Sequence, residues 1–151
     1  MLPSHIYEND KGVICFDRYF EYLRKIAQGM PGPLAVFAMD PGRYELNGPR
    51  TLHDGWLKSL NVIKEYGDPE CTVNTSVYIG LRLPTNGAIL TLSYFGVLQL
   101  QTTLEPTRWP IRPVDLLVHE FTQKNSGEFQ HLLQFDRGVG IRVTFTSFEC
   151  A

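Results

Sequence analysis

The dipeptide Asn86-Gly87 stands between two runs of alternating apolar and polar residues, and no other stretch constrains the fold as much. On its N-terminal side Val73, Thr75, Val77, Ile79, Leu81 and Leu83 alternate with Asn74, Ser76, Tyr78, Gly80 and Arg82. Alternation of this kind puts one set of side chains on each face of a half-buried strand. Asn-Gly supplies two residues that tolerate positive φ, which a type I′ turn requires. A single long β-hairpin over residues 73–100 is therefore expected, with Thr85 opposite Ala88. That register sets Leu83 against Leu90, Leu81 against Leu92, Ile79 against Tyr94, Val77 against Gly96, Thr75 against Leu98 and Val73 against Leu100. A slip of one residue would set apolar side chains against polar ones.

Two further glycine loops organise the C-terminal third. Asn125-Ser126-Gly127 and Asp136-Arg137-Gly138 both read as three-residue connections ending in the left-handed position that glycine favours. A β-meander over residues 115–149 follows. Counting out from the loops, Lys124 faces Glu128, Phe121 faces His131 and His119 faces Leu133. From the second loop, Phe135 faces Val139, Leu133 faces Ile141 and His131 faces Val143. One face then carries Leu117, Phe121, Phe129, Leu133, Phe135, Val139, Ile141, Val143 and Phe145, with His119 and His131 among them. The other face mixes Leu116, Val118, Leu132 and Phe148 with Glu120, Gln130, Gln134, Arg142 and Thr144. It is too apolar to be simply solvated, so either the N-terminal helix or another chain, such as a second copy, is expected to cover it.

The N-terminal third reads differently. Tyr19, Leu23, Ile26 and Met30 recur at helical spacing, Asp17 is a candidate cap, Glu21 and Lys25 form an i, i+4 pair, and Gly29 with Pro31 ends the run. A helical segment over about 17–29 is expected. Residues 34–50 fit a buried strand or a helical turn equally well, and 56–63 lean towards strand. The Pro-bearing segment 104–114 reads as a connection between sheets or hairpins. Together these elements describe an α+β domain over residues 1–151, mainly antiparallel β. The expected form is a sandwich or open barrel of hairpins with the N-terminal helix packed against it.

Composition excludes several classes of function. The 151 residues are 43% hydrophobic and 20% charged, with a formal charge of −2 and no basic run. Nucleic acid is thus a poor partner, since phosphate binding needs clustered Lys and Arg. Neither a leader-like N-terminus nor a run of about 20 apolar residues is present. A cytoplasmic, membrane-free chain is expected. Cys15, Cys71 and Cys150 are an odd set at wide spacings, read as free thiols.

Among chemistry-bearing residues, His119 and His131 come first, because the register makes them diagonal neighbours on one face at roughly 7–8 Å between Cα atoms. They could begin a metal site, but no third ligand can be assigned, and two core histidines with satisfied nitrogens are the plainer reading. His119-Glu120 opens like a zincin motif, yet Gln123 stands where the second His belongs and the segment is a strand, so that reading is discarded. Glu120 is expected on the surface. His53-Asp54 has the form of a phosphohydrolase dyad without the other histidines that chemistry needs, and Asp54 more simply caps a turn before Trp56. Trp109, between Arg108 and Arg112, is a candidate aromatic-cationic recognition patch, with burial of Trp109 under its loop as the simpler alternative. Nucleophile elbows, phosphate loops and dinucleotide fingerprints are missing.

Three segments carry a resemblance: Leu52-His53-Asp54-Gly55-Trp56-Leu57, Asp115-Leu116-Leu117-Val118-His119-Glu120, and His131-Leu132-Leu133-Gln134-Phe135 with Gly138. Together they resemble a group of small bacterial β-rich proteins with a Leu-His-Asp-x-Trp segment and a C-terminal His-Glu…His…Phe…Gly pattern, over roughly residues 17–149. The resemblance implies a bacterial source and a strand after His53-Asp54. It brings no activity, cofactor or catalytic residue, and Gly55 departs from the Ala or Ser expected there. The reading that follows is a non-enzymatic binding or interaction protein, such as a toxin-neutralising immunity protein, with a protein partner or homodimer and no cofactor. A small metal-binding protein or hydrolase using His119, His131 and perhaps also His53 is the alternative, and a small-ligand carrier is the third.

Overall fold

The computed structural model describes residues 1–67, 72–103 and 112–151. A short β-bridge pairs β1 (Tyr7–Glu8) with β2 (Ile14–Cys15), and helices α1 (Asp17–Ile26) and α2 (Gly32–Ala38) follow. Eight longer strands follow among the described residues: β3 (Trp56–Tyr66), β4 (Val73–Arg82), β5 (Ile89–Phe95), β6 (Gln99–Thr102), β7 (Leu116–Asn125), β8 (Glu128–Phe135), β9 (Gly140–Phe145) and β10 (Ser147–Cys150). They form two antiparallel four-stranded sheets, ordered β10-β5-β4-β3 and β6-β9-β8-β7. The architecture is an α+β sandwich, 47% strand and 19% helix, and the described residues close no barrel. One continuous apolar cluster draws on both sheets and both helices, from Tyr19 and Leu34 to Ile79, Leu92, Phe121, Ile141 and Phe148.

The first hairpin keeps its facing but not its pairing. Leu81 lies opposite Leu90, Ile79 opposite Leu92 and Val77 opposite Tyr94, two residues away from the expected register. The strands close at Leu83 and Ala88, whose N–H···O=C bond is 2.8 Å, and residues 84–87, Pro84 among them, form a four-residue loop in place of the two-residue turn. Only Gly87 takes positive φ, at 67°, so this is not the two-residue I′ turn that Asn86-Gly87 announces. The hairpin also ends early. Gly96, at φ 57°, turns the chain out of the first sheet, and Gln99–Thr102 joins the second, pairing with β9. On the β5 side of β4 the Thr75 carbonyl accepts the Val97 N–H at 3.0 Å and Thr75 does not meet Leu98, while on the other side Val73 and Thr75 pair with Tyr66 and Lys64 of β3.

The meander register holds along its middle: Phe121 pairs with His131, His119 with Leu133, His131 with Val143 and Leu133 with Ile141. Irregularities lie at its ends. A bulge between Leu116 and Val118 turns Leu117 outwards to 41% exposure and sends Leu116 into the core, the reverse of their expected faces. Asn125, not Lys124, pairs with Glu128. Phe148 does not lie on the meander's outer face, because β10 crosses to the first sheet, where Phe148 is fully buried opposite Tyr94.

Helix α1 continues into a 3-10 turn at Ala27–Gly29, and the Glu21–Lys25 pair closes to 3.5 Å on its exposed face. Asp17 is not its cap. Phe16 holds that position without a side-chain bond, and the Asp17 carboxylate accepts from the Tyr7 hydroxyl. The ambiguous stretch 34–50 is helical only at its start, in α2 and a 3-10 turn at Pro41–Arg43, with Pro33 in the first turn of α2, where a missing N–H costs nothing.

Candidate functional site

The two histidines meet in the middle of the sandwich. Their diagonal placement on β7 and β8 brings His119 Nδ1 to 3.1 Å from His131 Nε2, and both side chains are buried. The outer nitrogens are taken as well: His119 Nε2 lies 3.1 Å from the Arg43 carbonyl oxygen, and His131 Nδ1 lies 2.7 Å from the Tyr94 hydroxyl. Because a carbonyl only accepts, His119 Nε2 carries the hydrogen. Burial holds both rings neutral, pushing His119 down to about 4 and His131 well below the ordinary value, with His119 adding to the latter shift. His119 Nδ1 is then a bare acceptor, His131 Nε2 must donate to it, and His131 Nδ1 must accept from Tyr94. One directed chain results: Tyr94 O–H to His131, His131 to His119, His119 to the Arg43 carbonyl.

Neighbouring rings fix this geometry. Tyr44 stacks on His119 at 4.4 Å and Phe121 stacks on His131 at 3.7 Å. A second directed chain runs beside the first. Tyr44 donates its hydroxyl to the Ala38 carbonyl at 2.9 Å, so Tyr19 must donate to Tyr44 across 3.2 Å, while Tyr19 accepts the Phe121 N–H at 2.7 Å. Tyr22 accepts the Gln123 N–H in the same way. Helix α1 thereby caps the outer edge of β7 with tyrosine hydroxyls. Asp40 steadies the turn that presents the Arg43 carbonyl, taking Arg50 in a paired contact of 2.8 and 2.9 Å that holds its carboxyl below the usual range.

His53 does not join the pair. Its Nδ1 donates to the Leu117 carbonyl at 3.0 Å, and its Nε2 lies 3.5 Å from Asp54 Oδ1. The pocket between His53 and His119 measures about 10 Å³, at the lower limit for one water. Among the described residues no three His, Cys, Asp or Glu side chains are grouped to hold a metal. Asp54 adopts φ 62° and turns towards an open cleft of about 610 Å³, shared with Trp56, Arg82, Asn86 and Asp115. Arg112 is exposed, whereas Trp109 and Arg108 lie outside the described residues.

Sequence reasoning also misplaced Glu120. Only 2% exposed, it accepts the N–H groups of Ser4 and His5 at 2.6 Å and of Ile6 at 3.1 Å. The chain's own N-terminal strap thus packs on the outer face of the second sheet at Glu120. The available signal was that apolar face, which demanded a cover.

The other feature is a strand edge. Strand β3 borders its sheet, and a bridge from Trp56 to Asp115 covers only its beginning. Beyond the bulge between Leu57 and Ser59, nearly every residue of β3 is exposed, with Val62 and Ile63 each at 47% and Tyr66 at 75%. Gly67 N–H donates to the Thr72 carbonyl at 2.8 Å, making that a hydrogen-bonded pair. Alternation back along the ladder points residues 65, 63, 61 and 59 at β4. It leaves the backbone groups of Leu60, Val62, Lys64 and Tyr66 facing outwards, unpaired among the described residues.

No protein-family model matches the chain, and a search of curated proteins finds no match. No helix among the described residues is long and apolar enough to cross a membrane.

Proposed function

We propose that this is a non-enzymatic interaction protein that engages another polypeptide by strand addition along β3. The observation that carries the proposal is the row of outward N–H and C=O groups at Leu60, Val62, Lys64 and Tyr66, flanked by exposed Val62, Ile63 and Tyr66. Unpaired edges are usually shortened, bent or covered, because they template further pairing. An edge left long and partly apolar suits a partner that adds a strand, drawing affinity from backbone bonds and specificity from alternate side chains. The histidines favour this reading over a hydrolase or metal site, since a metal or substrate would have to break bonds the pair already makes. With the resemblance to small bacterial proteins, the proposal extends to a bacterial cytoplasmic protein, of which an immunity protein is one form.

The test is selection of extended heptapeptides against the purified protein, followed by amide chemical-shift mapping. Selected peptides should shift residues 60–66 and lose affinity for Val62→Pro, which removes one outward N–H while the fold is checked by circular dichroism. Peptides that bind without moving β3 amides would refute it. A second reading rests on the cleft at Trp56: its exposed indole, two carboxylates, Asn86 and Arg82 suit a polar small ligand, which native mass spectrometry of the purified protein would reveal.

A further inference from the structure

We infer that the strand added to β3 is β3 of a second copy of this chain, running antiparallel about a two-fold axis at Ile63. This rests on the strand-addition reading above and supplies its partner. A two-fold axis relating antiparallel strands stands perpendicular to the sheet and sets one residue opposite its own copy, so the registers can be enumerated. Centred on Lys64, two ammonium groups meet directly, which like charges disfavour. Centred on Val62, Leu60 meets Lys64 and Tyr66 meets Lys58 in the bulge, where the ladder is irregular.

Centred on Ile63, every outward residue finds an outward partner: Leu60 opposite Tyr66 and Val62 opposite Lys64, each twice. Four hydrogen-bonded pairs give about eight inter-chain backbone bonds. On the other face Ile63 meets its copy, and the Asn61 carboxamide meets the Glu65 carboxylate as donor to acceptor. Each apolar side chain meets another apolar one or the alkyl stem of Lys64. Charges of one sign never sit directly opposite. The two Lys64 residues lie diagonally, with Cα atoms roughly 7–8 Å apart, and the repulsion of their like charges weakens the dimer in a way that salt relieves. The two first sheets would join edge to edge into one continuous sheet.

A single edge buries less than the roughly 1,600 Å² of a standard interface, so dissociation in the range of about 10–100 μM is expected. Sedimentation from ~5 to ~500 μM should show a reversible monomer–dimer equilibrium that tightens with added salt and with Lys64→Thr, and disappears in Ile63→Lys. Register is read by cysteine. Residue 63 would be a non-hydrogen-bonded pair with Cα atoms about 4.5 Å apart, within disulfide reach, so Ile63→Cys should oxidise to a covalent dimer. Val62→Cys should do so no more than the wild type. Both positions are exposed, and melting curves should show both variants folded. A monomer throughout, with no Ile63→Cys cross-link above wild type, overturns the proposal. Cross-linking of Val62→Cys in place of Ile63→Cys overturns the axis at Ile63. If the protein stays monomeric while selected heptapeptides still shift residues 60–66, the second copy is refuted and strand addition stands. If neither occurs, both fall.

Discussion

Replacing Tyr94 by Phe removes the donor that His131 Nδ1 has among the described residues and leaves a buried acceptor unpaired. The expected cost is about 1–2 kcal/mol in chemical denaturation, and nitrogen NMR of the parent should show both rings as Nε2–H tautomers. The same chain makes stability depend on pH. Both folded-state values lie below that of an unfolded histidine, near 6.5, with His119 at about 4. Above about pH 6.5 neither state binds the proton and the full stability is present; as pH falls from there towards 4, the unfolded chain takes up protons that the folded one refuses. Stability should decline by at most about 1.4 kcal/mol per pH unit for each histidine. Urea titrations at pH 7.5, 5.5 and 4.5 should show it, and a His119→Leu/His131→Leu variant should have a flatter profile. The pair itself was legible in the sequence, because glycine loops anchor the register on both sides of β8. Its partners were not. Tyr94 is 37 residues from His131 and the Arg43 carbonyl 76 from His119, and a backbone carbonyl carries no residue signature.

Among the elements, the N-terminal strap hangs on one carboxylate. Glu120→Gln keeps an acceptor oxygen but loses the charge that three amides share, a loss of about 2 kcal/mol. Amide exchange should accelerate at Ser4, His5 and Ile6 well before it does in β8. The first hairpin shows what alternation can and cannot establish. A shift of two residues leaves every side chain on its own face, so the pattern in 73–83 determined which residues are buried without determining which ones meet. The four-residue loop 84–87 decided the latter, by closing the strands at Leu83 and Ala88. The bulges at Leu116–Val118 and Leu57–Ser59 have no comparable mark in the sequence, and Leu117 was misassigned for that reason.

Over the whole molecule, each sheet takes a strand from the other half of the chain: β6 leaves the first hairpin for the second sheet, and β10 leaves the meander for the first. Both crossings share one corner, where Thr146 N–H donates to the Phe95 carbonyl at 3.2 Å and a side chain on Gly96 would collide with Thr146 Oγ1. Gly96→Ala should cost about 2 kcal/mol or more, combining positive φ with that collision, and thermal melts should show it. Fold class was legible because three glycine loops and an amphipathic helix suffice for a sandwich; the exchange was not, because nothing local marks which sheet a short strand joins. Lacing of this kind also bears on aggregation. Neither layer can peel away without unthreading a strand of the other, so half-opened species that bare the inner strands of either sheet are disfavoured, and sticky encounters between molecules are left to margins such as β3 that the native state already has on view.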